Sequence, residues 1–288
     1  MKRSQTKQTI RRIIKGAITA IMLLCIYTPI AWLLISSIST RADLLTKPPH
    51  WFPSKPSFVN YIHILMGGPG APDAARLFRS ALKNSIFISS TVTIVSLVFG
   101  TLAAYAFARI DFRGRNATKL VILGVRMLPA ISLIIPLYII ASKTGLTDTP
   151  LALILLYLTF TLPFVTWIMT AFLESLPREL EDAARIDGCS RIGTLLRVII
   201  PISGPGLVST AIFSFLMAWD EFFFALIFTT TEASKTVPVA IAEFTGRYAV
   251  DYTAMATGGV LAAIPPVVIA LIFQRYIVSG LTAGSVKG

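Results

Sequence analysis

Six long stretches of the chain are apolar and nearly free of charge, and they alternate with shorter polar segments. They comprise residues 16–40, 84–108, 120–142, 149–173, 198–219 with a continuation to about 228, and 252–274. A helix of about 20 apolar residues crosses the hydrocarbon core of a bilayer. Because no water is present there, a spanning segment must pair its own backbone polar groups, as a helix does. The pattern predicts an all-α integral membrane protein with six transmembrane helices.

The composition agrees with a membrane protein and predicts its orientation. Of the 288 residues, 55% are hydrophobic and 14% are charged, and the mean hydropathy is +0.74. Soluble domains carry about 25% charged residues. With the N-terminus inside, sixteen lysines and arginines fall in inner segments and nine in outer ones, six of the nine in one long loop. Positive charge accumulates in cytoplasmic loops, so we expect both termini in the cytoplasm and no nucleic-acid partner.

This topology divides the chain into segments with different surroundings. We expect a cytoplasmic N-terminal tail (1–15), a first transmembrane helix (16–40), an extracytoplasmic loop (41–83), a core of five helices (84–278) and a cytoplasmic C-terminal tail (279–288). The first apolar run is too long for a signal peptide, and no clear small-residue cleavage site follows it. A retained first span is therefore expected.

The chain lacks the motifs of the common catalytic and metal sites. It contains no Walker-type glycine loop and no CxxC, HExxH or GxSxG motif. Cys25 lies in an apolar run and Cys189 in a charged segment, so no disulfide is expected. His50 and His63 share a loop without further ligands. We expect no metal site, no cofactor and no catalytic residue in this chain.

One polar segment, residues 177–201, lies between the fourth and fifth apolar runs. Pro177 suits the first turn of a helix, and the acidic residues that follow suit its positive N-terminal end. Gly188 can adopt the left-handed conformation that ends a helix. A second amphipathic piece leads from Ile192 to Pro201. The pattern predicts a short surface helix, a glycine turn and a second helix that enters the membrane; a solvated loop helix is an equally good interpretation on these grounds alone.

The same segment resembles the cytoplasmic EAA loop of binding-protein-dependent ABC importer permeases. The family pattern is Glu-Ala-Ala, three residues, Gly, and about a dozen residues to Leu-Pro. Here an aspartate stands at the acidic position, and Ile200 precedes the proline. The resemblance implies coupling to an ATPase through Glu181, Asp182, Ala183, Ala184, Asp187, Gly188 and Pro201.

Further stretches resemble the carbohydrate branch of this family, from about residue 20 to the end. The sequence FLMAWDEFFFALIF (215–228) is similar to a Trp-Asn-Glu-Phe signature, with Asp220 in place of the asparagine. The resemblance implies the type I ABC importer permease fold and a sugar cargo, such as a disaccharide, an oligosaccharide or a related glycoside. It implies four kinds of partner: a second permease subunit in a heterodimer, two cytoplasmic ATPase subunits that bind ATP and Mg, an extracytoplasmic solute-binding protein and the lipid bilayer. The location implied is the inner membrane of a bacterium or archaeon.

Two acidic residues fall inside the fifth apolar run, where a charge is unfavourable without a cavity or a partner. Carboxylates accept hydrogen bonds from sugar hydroxyls, and aromatic rings pack against the C–H faces of sugars. The substrate-pathway candidates are Asp220, Glu221, Trp219, Phe213, Met217 and Phe224. In the alternative interpretation the rings pack or face lipid, and the acids bond to neighbouring helices. Arg126, in the third run, is expected to snorkel to the inner surface; a position facing a cavity is the alternative.

Other function classes make different demands on the sequence. A secondary transporter working without an ATPase would have inverted repeats and coupling-ion residues in both halves, and we find neither in the sequence. A membrane enzyme would need a nucleophile, a base or a metal constellation. A closer alternative keeps the ABC architecture and moves a polyol, a glycerol phosphodiester or a peptide, and the sequence leaves it open.

Overall fold

The regular secondary structure of the described residues is helical. A computed structural model of the chain describes residues 2–48, 51–67, 73–244 and 251–283, with side chains from residue 10 to residue 276. The helices are α1 Lys2–Ile38, α2 Arg41–Leu45, α3 Val59–Met66, α4 Asp73–Arg109, α5 Arg115–Val125, α6 Ala130–Lys143, α7 Pro150–Ser175, α8 Glu179–Ile186, α9 Arg191–Thr194, α10 Ile200–Ile202, α11 Gly204–Trp219, α12 Phe223–Phe228, α13 Val237–Ala242 and α14 Tyr252–Ala283. A π-helical turn, Leu195–Ile199, joins α9 to α10.

Four of the six apolar runs form single helices long and apolar enough to cross a membrane. They are Ile10–Ile38 in α1, Asp73–Arg109, Pro150–Ser175 and Tyr252–Tyr276 in α14. The third run forms two helices, α5 and α6, bent by 92°, and Arg191–Ile202 is bent by 80° from α11. By length and composition the described residues therefore hold four candidate spans, or up to six if each bent pair is one span.

The third run bends where Arg126 and Pro129 interrupt it. Helix α5 ends at Val125, and Pro129 is the N-cap of α6. Proline has no N–H and disfavours the helical conformation in the residue before it. The Arg126 guanidinium lies over the ring of Phe164, 5.4 Å from its centroid. Arg126 thus caps the first of the two helices and makes a cation–π contact; that the two helices form one span and that the arginine snorkels stay predictions.

Several segment boundaries differ from the predicted ones. Helix α4 begins at Asp73, so residues 73–83 of the predicted outer loop are helical. Helix α14 runs to Ala283, which makes the first half of the predicted C-terminal tail helical. Residues 284–288, His50 and part of the predicted outer loop (68–72) lie outside the described residues. Cys25 and Cys189 are both free.

The chain divides into two compact units. The first comprises Met1–Arg76 and Ile241–Ala263, and the second comprises Leu77–Ala240 and Ile264–Gly288. In the first unit the hydroxyls of Ser37 in α1 and Tyr61 in α3 lie 2.7 Å apart. Helix α2 starts at a capping box formed by Thr40 and Asp43. Hydrogen bonds from Thr40 and Ser54 lower the pKa of Asp43 to about 2, since they stabilise the carboxylate.

Helix α7 forms the centre of the second unit. One core cluster joins α7 to α4, α6 and α12. Another joins its C-terminal half to α4 and to the π-helical turn, where Leu195 and Ile199 pack with Met169. Helix α11 approaches α7 at Gly206, where an added Cβ would lie 2.7 Å from the Phe172 ring. Small residues permit such close helix contacts.

The loop between α6 and α7 is fastened to the loop after α12 by Asp148. Its carboxylate accepts hydrogen bonds from the N–H groups of Thr230 and Thr231, at 2.8 and 3.0 Å, and from the hydroxyls of Thr231 and Ser234. Burial alone would raise the pKa of Asp148, but the hydrogen bonds outweigh burial and hold this pKa well below its ordinary value. Asp148 has a φ of 59°, in the region that aspartate tolerates better than most residues.

Candidate functional site

The polar segment at 177–201 begins with helix α8, as the sequence predicts. Its first turn carries Glu179, Glu181 and Asp182, whose negative charges interact favourably with the positive end of the helix dipole. Pro177 was expected inside the first turn, but the helix starts at Glu179 and Arg178 is its N-cap. The carbonyl of Arg178 accepts the N–H groups of Glu181 and Asp182, which ties the first turn together.

Helix α8 ends in a Schellman motif built on Gly188. The N–H of Gly188 donates to the carbonyl of Arg185, and the N–H of Cys189 donates to the carbonyl of Ala184, both at 3.0 Å. Gly188 has a φ of +84°, a conformation that side chains with a Cβ disfavour. Among the described residues, no atom lies within 4 Å of a Cβ added there. The glycine is thus required by the backbone conformation and not by crowding within this chain.

The two faces of α8 differ sharply in exposure. Glu181 and Ala184, three residues apart, are buried. On the other side Asp182, Ala183 and the C-terminal Asp187 are exposed. Ile186 is 88% exposed, although its side chain is apolar. The predicted coupling residues therefore divide into a buried pair and an open face.

The buried face of α8 is held by an ion pair. Arg109, the last residue of α4, donates from Nε to Oε1 of Glu181, and Tyr105 donates from its hydroxyl to Oε2 at 3.2 Å. A second nitrogen of Arg109, Nη2, donates to the carbonyl of Leu176 at the end of α7, at 2.9 Å. The side chains of Arg109 and Glu181 are only 6% and 7% exposed. Each charge is thus paired and hydrogen-bonded, as burial requires.

After Gly188 the chain forms one helical piece that turns into α11. Ser190 caps it by accepting the N–H of Gly193 at 3.1 Å. Of the apolar residues that the sequence places on one face, Leu195 and Ile199 are buried, whereas Ile192 and Leu196 are 67% and 55% exposed. The predicted apolar face is therefore buried only in part. Pro201 is exposed and lies in α10, just before the 80° bend into α11. The bend follows from the cluster of Pro201 with the glycines and proline at 204–206, which interrupt a helix.

The two acids of the fifth run lie at a break between α11 and α12, whereas the sequence predicts a span that continues past them. Glu221 is half-buried, and its carboxylate accepts the N–H groups of Phe224 and Ala225 at 3.0 and 3.2 Å. It therefore satisfies N–H groups at the start of α12 that have no partner within the helix. Asp220 is exposed, and within the described residues its carboxylate makes no hydrogen bond or ion pair. The two acids thus have different surroundings.

The aromatic candidates and Met217 also differ in burial. Trp219 is buried and stacks on Phe215, with ring centroids 5.6 Å apart. Phe224 is buried in the core cluster around α7. Phe213 is exposed and Met217 is half-buried. Because residues four and seven positions apart lie on one face of a helix, Phe213, Met217 and Asp220 form a stripe along α11. We call these three residues the α11 stripe.

Three residues of this region were not found from the sequence. Arg109 and Tyr105 lie far from Glu181 along the chain, and no local pattern pairs them. Ile186 offered a signal, because it is an apolar residue between charged neighbours. Within the described residues, no three His, Cys, Asp or Glu side chains are grouped to hold a metal ion.

Known proteins similar to this chain are transport proteins. Residues 96–283 match the family model described as binding-protein-dependent transport system inner membrane component. The chain is 40% identical over 285 residues to the trehalose/maltose transport system permease protein of Thermococcus litoralis, covering 98% of this chain and 99% of that protein. It is 41% identical over 262 residues to the trehalose transport system permease protein of Mycobacterium tuberculosis, covering 90% of this chain and 92% of that protein.

A solved structure has a similar fold. It is a bacterial ABC transporter involved in the import of the acidic polysaccharide alginate, with a TM-score of 0.78, 22% identity, and coverage of 93% of this chain and 96% of that chain.

Proposed function

Because the chain belongs to the family of binding-protein-dependent transport system inner membrane components, we propose that it is the permease subunit of an ATP-driven importer for a sugar delivered by a solute-binding protein. The cargo class is a disaccharide, an oligosaccharide or a related glycoside. The observation that carries the proposal is the open face of α8, an amphipathic helix fixed at both ends. Two of its relatives named above carry trehalose or maltose in their names, which supports a sugar.

In this function the chain performs no chemistry on its cargo. Its relatives are transporter permease subunits, and the sequence has no phosphate-binding loop. ATP hydrolysis then belongs to two separate ATPase subunits in the cytoplasm, and a second permease subunit completes the pathway. The topology that fits this assembly has six spans, with the bent pairs counted as spans, both termini in the cytoplasm and α8 on the cytoplasmic side of the inner membrane.

The open face of α8 is the proposed docking surface for an ATPase subunit. Asp182 and Asp187 supply charge, Ala183 allows close approach, and Ile186 supplies an apolar side chain to bury. When the ATPases close on ATP, α8 moves and the helices joined to it rotate as rigid bodies, which gives alternating access. For the closure of the ATPases to move the transmembrane helices, α8 must stay attached to the helices next to it.

The proposed substrate contact is the α11 stripe, defined by Phe213, Met217 and Asp220. Asp220 supplies a carboxylate that has no partner among the described residues, Phe213 an exposed ring and Met217 a flexible thioether. Carboxylate oxygens accept hydrogen bonds from hydroxyls, and an apolar side chain packs on the C–H face of a sugar ring. Trp219 and Phe224 support this region from the core, and Glu221 fixes the start of α12.

The docking proposal is tested with the assembled transporter and the single change Ile186→Glu. Burial of an isoleucine contributes about 1.5–3 kcal/mol, which corresponds to roughly a 10- to 100-fold change in affinity. We expect the ATPase to bind the variant permease at least tenfold more weakly and uptake to fall with it. Arg185→Gln is the matched control on the same helix, because Arg185 is exposed, does not share the face of Asp182, Ala183 and Ile186, and its replacement changes the net charge by the same amount. Equal ATPase binding and equal uptake in Ile186→Glu and the parent protein would defeat the proposal.

The cargo class is tested separately. The complete transporter in lipid vesicles is supplied with its solute-binding protein and with trehalose, maltose, glycerol or glycerophosphocholine, and ATP hydrolysis is measured. Stimulation by a sugar and not by the other two solutes supports the proposal. Stimulation by glycerol or glycerophosphocholine alone contradicts it.

A further inference from the structure

Helix α8 is held by one polar tether. Among the described residues, the side-chain hydrogen bonds and ion pairs of α8 all involve Glu181. They reach two residues in the last turns of α4, Tyr105 and Arg109. The remaining buried member of α8, Ala184, contributes only a small apolar contact. Within the described part of the chain, the polar attachment of α8 to α4 thus depends on this carboxylate.

The tether adds a link that the covalent chain does not provide. Along the sequence α8 connects to α7 on one side and, through the segment after Gly188, to α11 on the other. Helix α4 precedes α8 by more than sixty residues and is joined to it only by packing and by the ion pair. Arg109 also binds the carbonyl of Leu176, where α7 ends. One guanidinium therefore fastens α4 to α8 and to the end of α7.

Burial makes this link stiff. The Arg109 guanidinium has a fixed, planar set of donors. It binds Glu181 and the carbonyl of Leu176, and the Glu181 carboxylate also accepts the hydroxyl of Tyr105. Removing one partner would leave an uncompensated buried charge. Separating the two side chains is therefore energetically costly. An exposed ion pair, such as Asp73 with Arg76, can separate without leaving a buried charge unpaired.

We propose that Arg109 and Glu181 are positioning residues that make α4 move as one body with α8 during transport. This inference rests on the proposed function, because it requires that α8 receives force from an ATPase. It adds that the force reaches α4 directly through the ion pair, and not only α7 and α11 through the chain. Glu181, which the resemblance assigns to ATPase coupling, would then act from the buried side of α8.

The first experiment measures coupling in the complete transporter with Glu181→Gln and with Arg109→Gln. We expect the ATPases to remain bound and ATP to be hydrolysed, while the number of solute molecules taken up per ATP falls at least tenfold. The exchange of the two residues, Arg109→Glu with Glu181→Arg, is expected to restore at least part of this ratio. The matched controls are Arg185→Gln and Arg113→Gln, since both residues are exposed and no hydrogen bond of either side chain is found in the described residues.

The second experiment does not depend on the stability of those variants. Cysteines replace Ala106, in the last turn of α4, and Arg185, which is exposed on α8, after Cys25 and Cys189 have been replaced by serine. The shortest bifunctional maleimide that joins the two cysteines is used. If α4 and α8 move as one body, the cross-linked transporter keeps its uptake rate within about twofold of the same protein before cross-linking. A tenfold loss of uptake on cross-linking overturns the inference, as does an unchanged ratio of uptake to hydrolysis in Glu181→Gln.

Failure of the tether inference can be distinguished from failure of the proposed function. If Ile186→Glu abolishes ATPase binding while Glu181→Gln keeps the parent ratio, the docking surface stands and the tether is wrong. If Ile186→Glu binds the ATPase and transports normally, the docking surface itself is wrong.

Discussion

Gly188 offers the sharpest test of how α8 must be shaped, because its requirement is purely conformational. Its φ of +84° closes the Schellman motif, and a Cβ placed there meets no atom within 4 Å. We therefore consider three substitutions, Gly188→Asn, Gly188→Ala and Gly188→Val. They differ in how well they tolerate the left-handed region, and none creates a clash with the described residues of this chain.

The expected magnitudes follow from the backbone alone. A left-handed conformation costs a residue with a Cβ about 1–2 kcal/mol, and asparagine less, because its side chain bonds locally. For valine a positive φ is a genuine outlier, so its effect is larger still. If unwinding of the end of α8 relieves the strain, a smaller fraction of the permease molecules has α8 in the conformation that binds the ATPase. A change of about 1–2 kcal/mol corresponds to a five- to thirty-fold lower affinity for the ATPase in Gly188→Ala.

The assay is the affinity of the purified ATPase for the permease in lipid nanodiscs, followed by uptake in vesicles. The expected order of affinity is glycine, asparagine, alanine, valine. Gly114→Ala is the control, because Gly114 has a φ of +88° and equally open surroundings but lies in the loop before α5. It should lower the thermal stability of the permease without lowering ATPase affinity. Asparagine as harmful as valine would refute the conformational reasoning and point to crowding by the partner, and parent affinity in Gly188→Ala would refute the need for a positive φ.

Three further predictions concern other parts of the second unit. Asp148→Ala should lower the free energy of unfolding by about 1–3 kcal/mol through lost hydrogen bonds, measured as thermal stability in detergent. Because the folded pKa of Asp148 lies below its unfolded value near 3.9, its contribution is present above about pH 4 and is lost as the pH falls below it; a stability difference from the parent that persists undiminished at pH 2 would contradict this. Gly206→Val should destabilise the contact of α11 with α7, since Phe172 lies 2.7 Å from the added Cβ, whereas Gly204→Ala has open space and serves as control; equal melting temperatures for both would contradict the contact. Asp220→Asn should raise the KM for uptake of the sugar without lowering thermal stability, and an unchanged KM would remove Asp220 from the substrate pathway.

Family, fold class and the outline of the coupling segment could be predicted from the sequence. The apolar runs predicted helices, and the structure confirms that the regular secondary structure of the described residues is helical, with the fold of an ABC importer permease. The EAA-like pattern predicted membership of the family, which the matched family model and relatives confirm. The glycine turn was predicted because a positive φ at a helix end is a local preference that Gly188 satisfies. The roles of the coupling and pathway residues stay predictions.

The sequence by itself determined what depends on a few neighbouring residues: which segments prefer hydrocarbon to water, where a helix can end, and which residue types stand together. Only the tertiary structure decided which distant groups meet. Arg109 pairs with Glu181, and Asp148 binds Thr231, because helix packing brings segments together that are 72 and 83 residues apart. The same packing divided the candidates, with Trp219 inside and Asp220 exposed. Hydropathy and helical period act over one or two turns, whereas the pairing of a buried charge depends on the whole bundle.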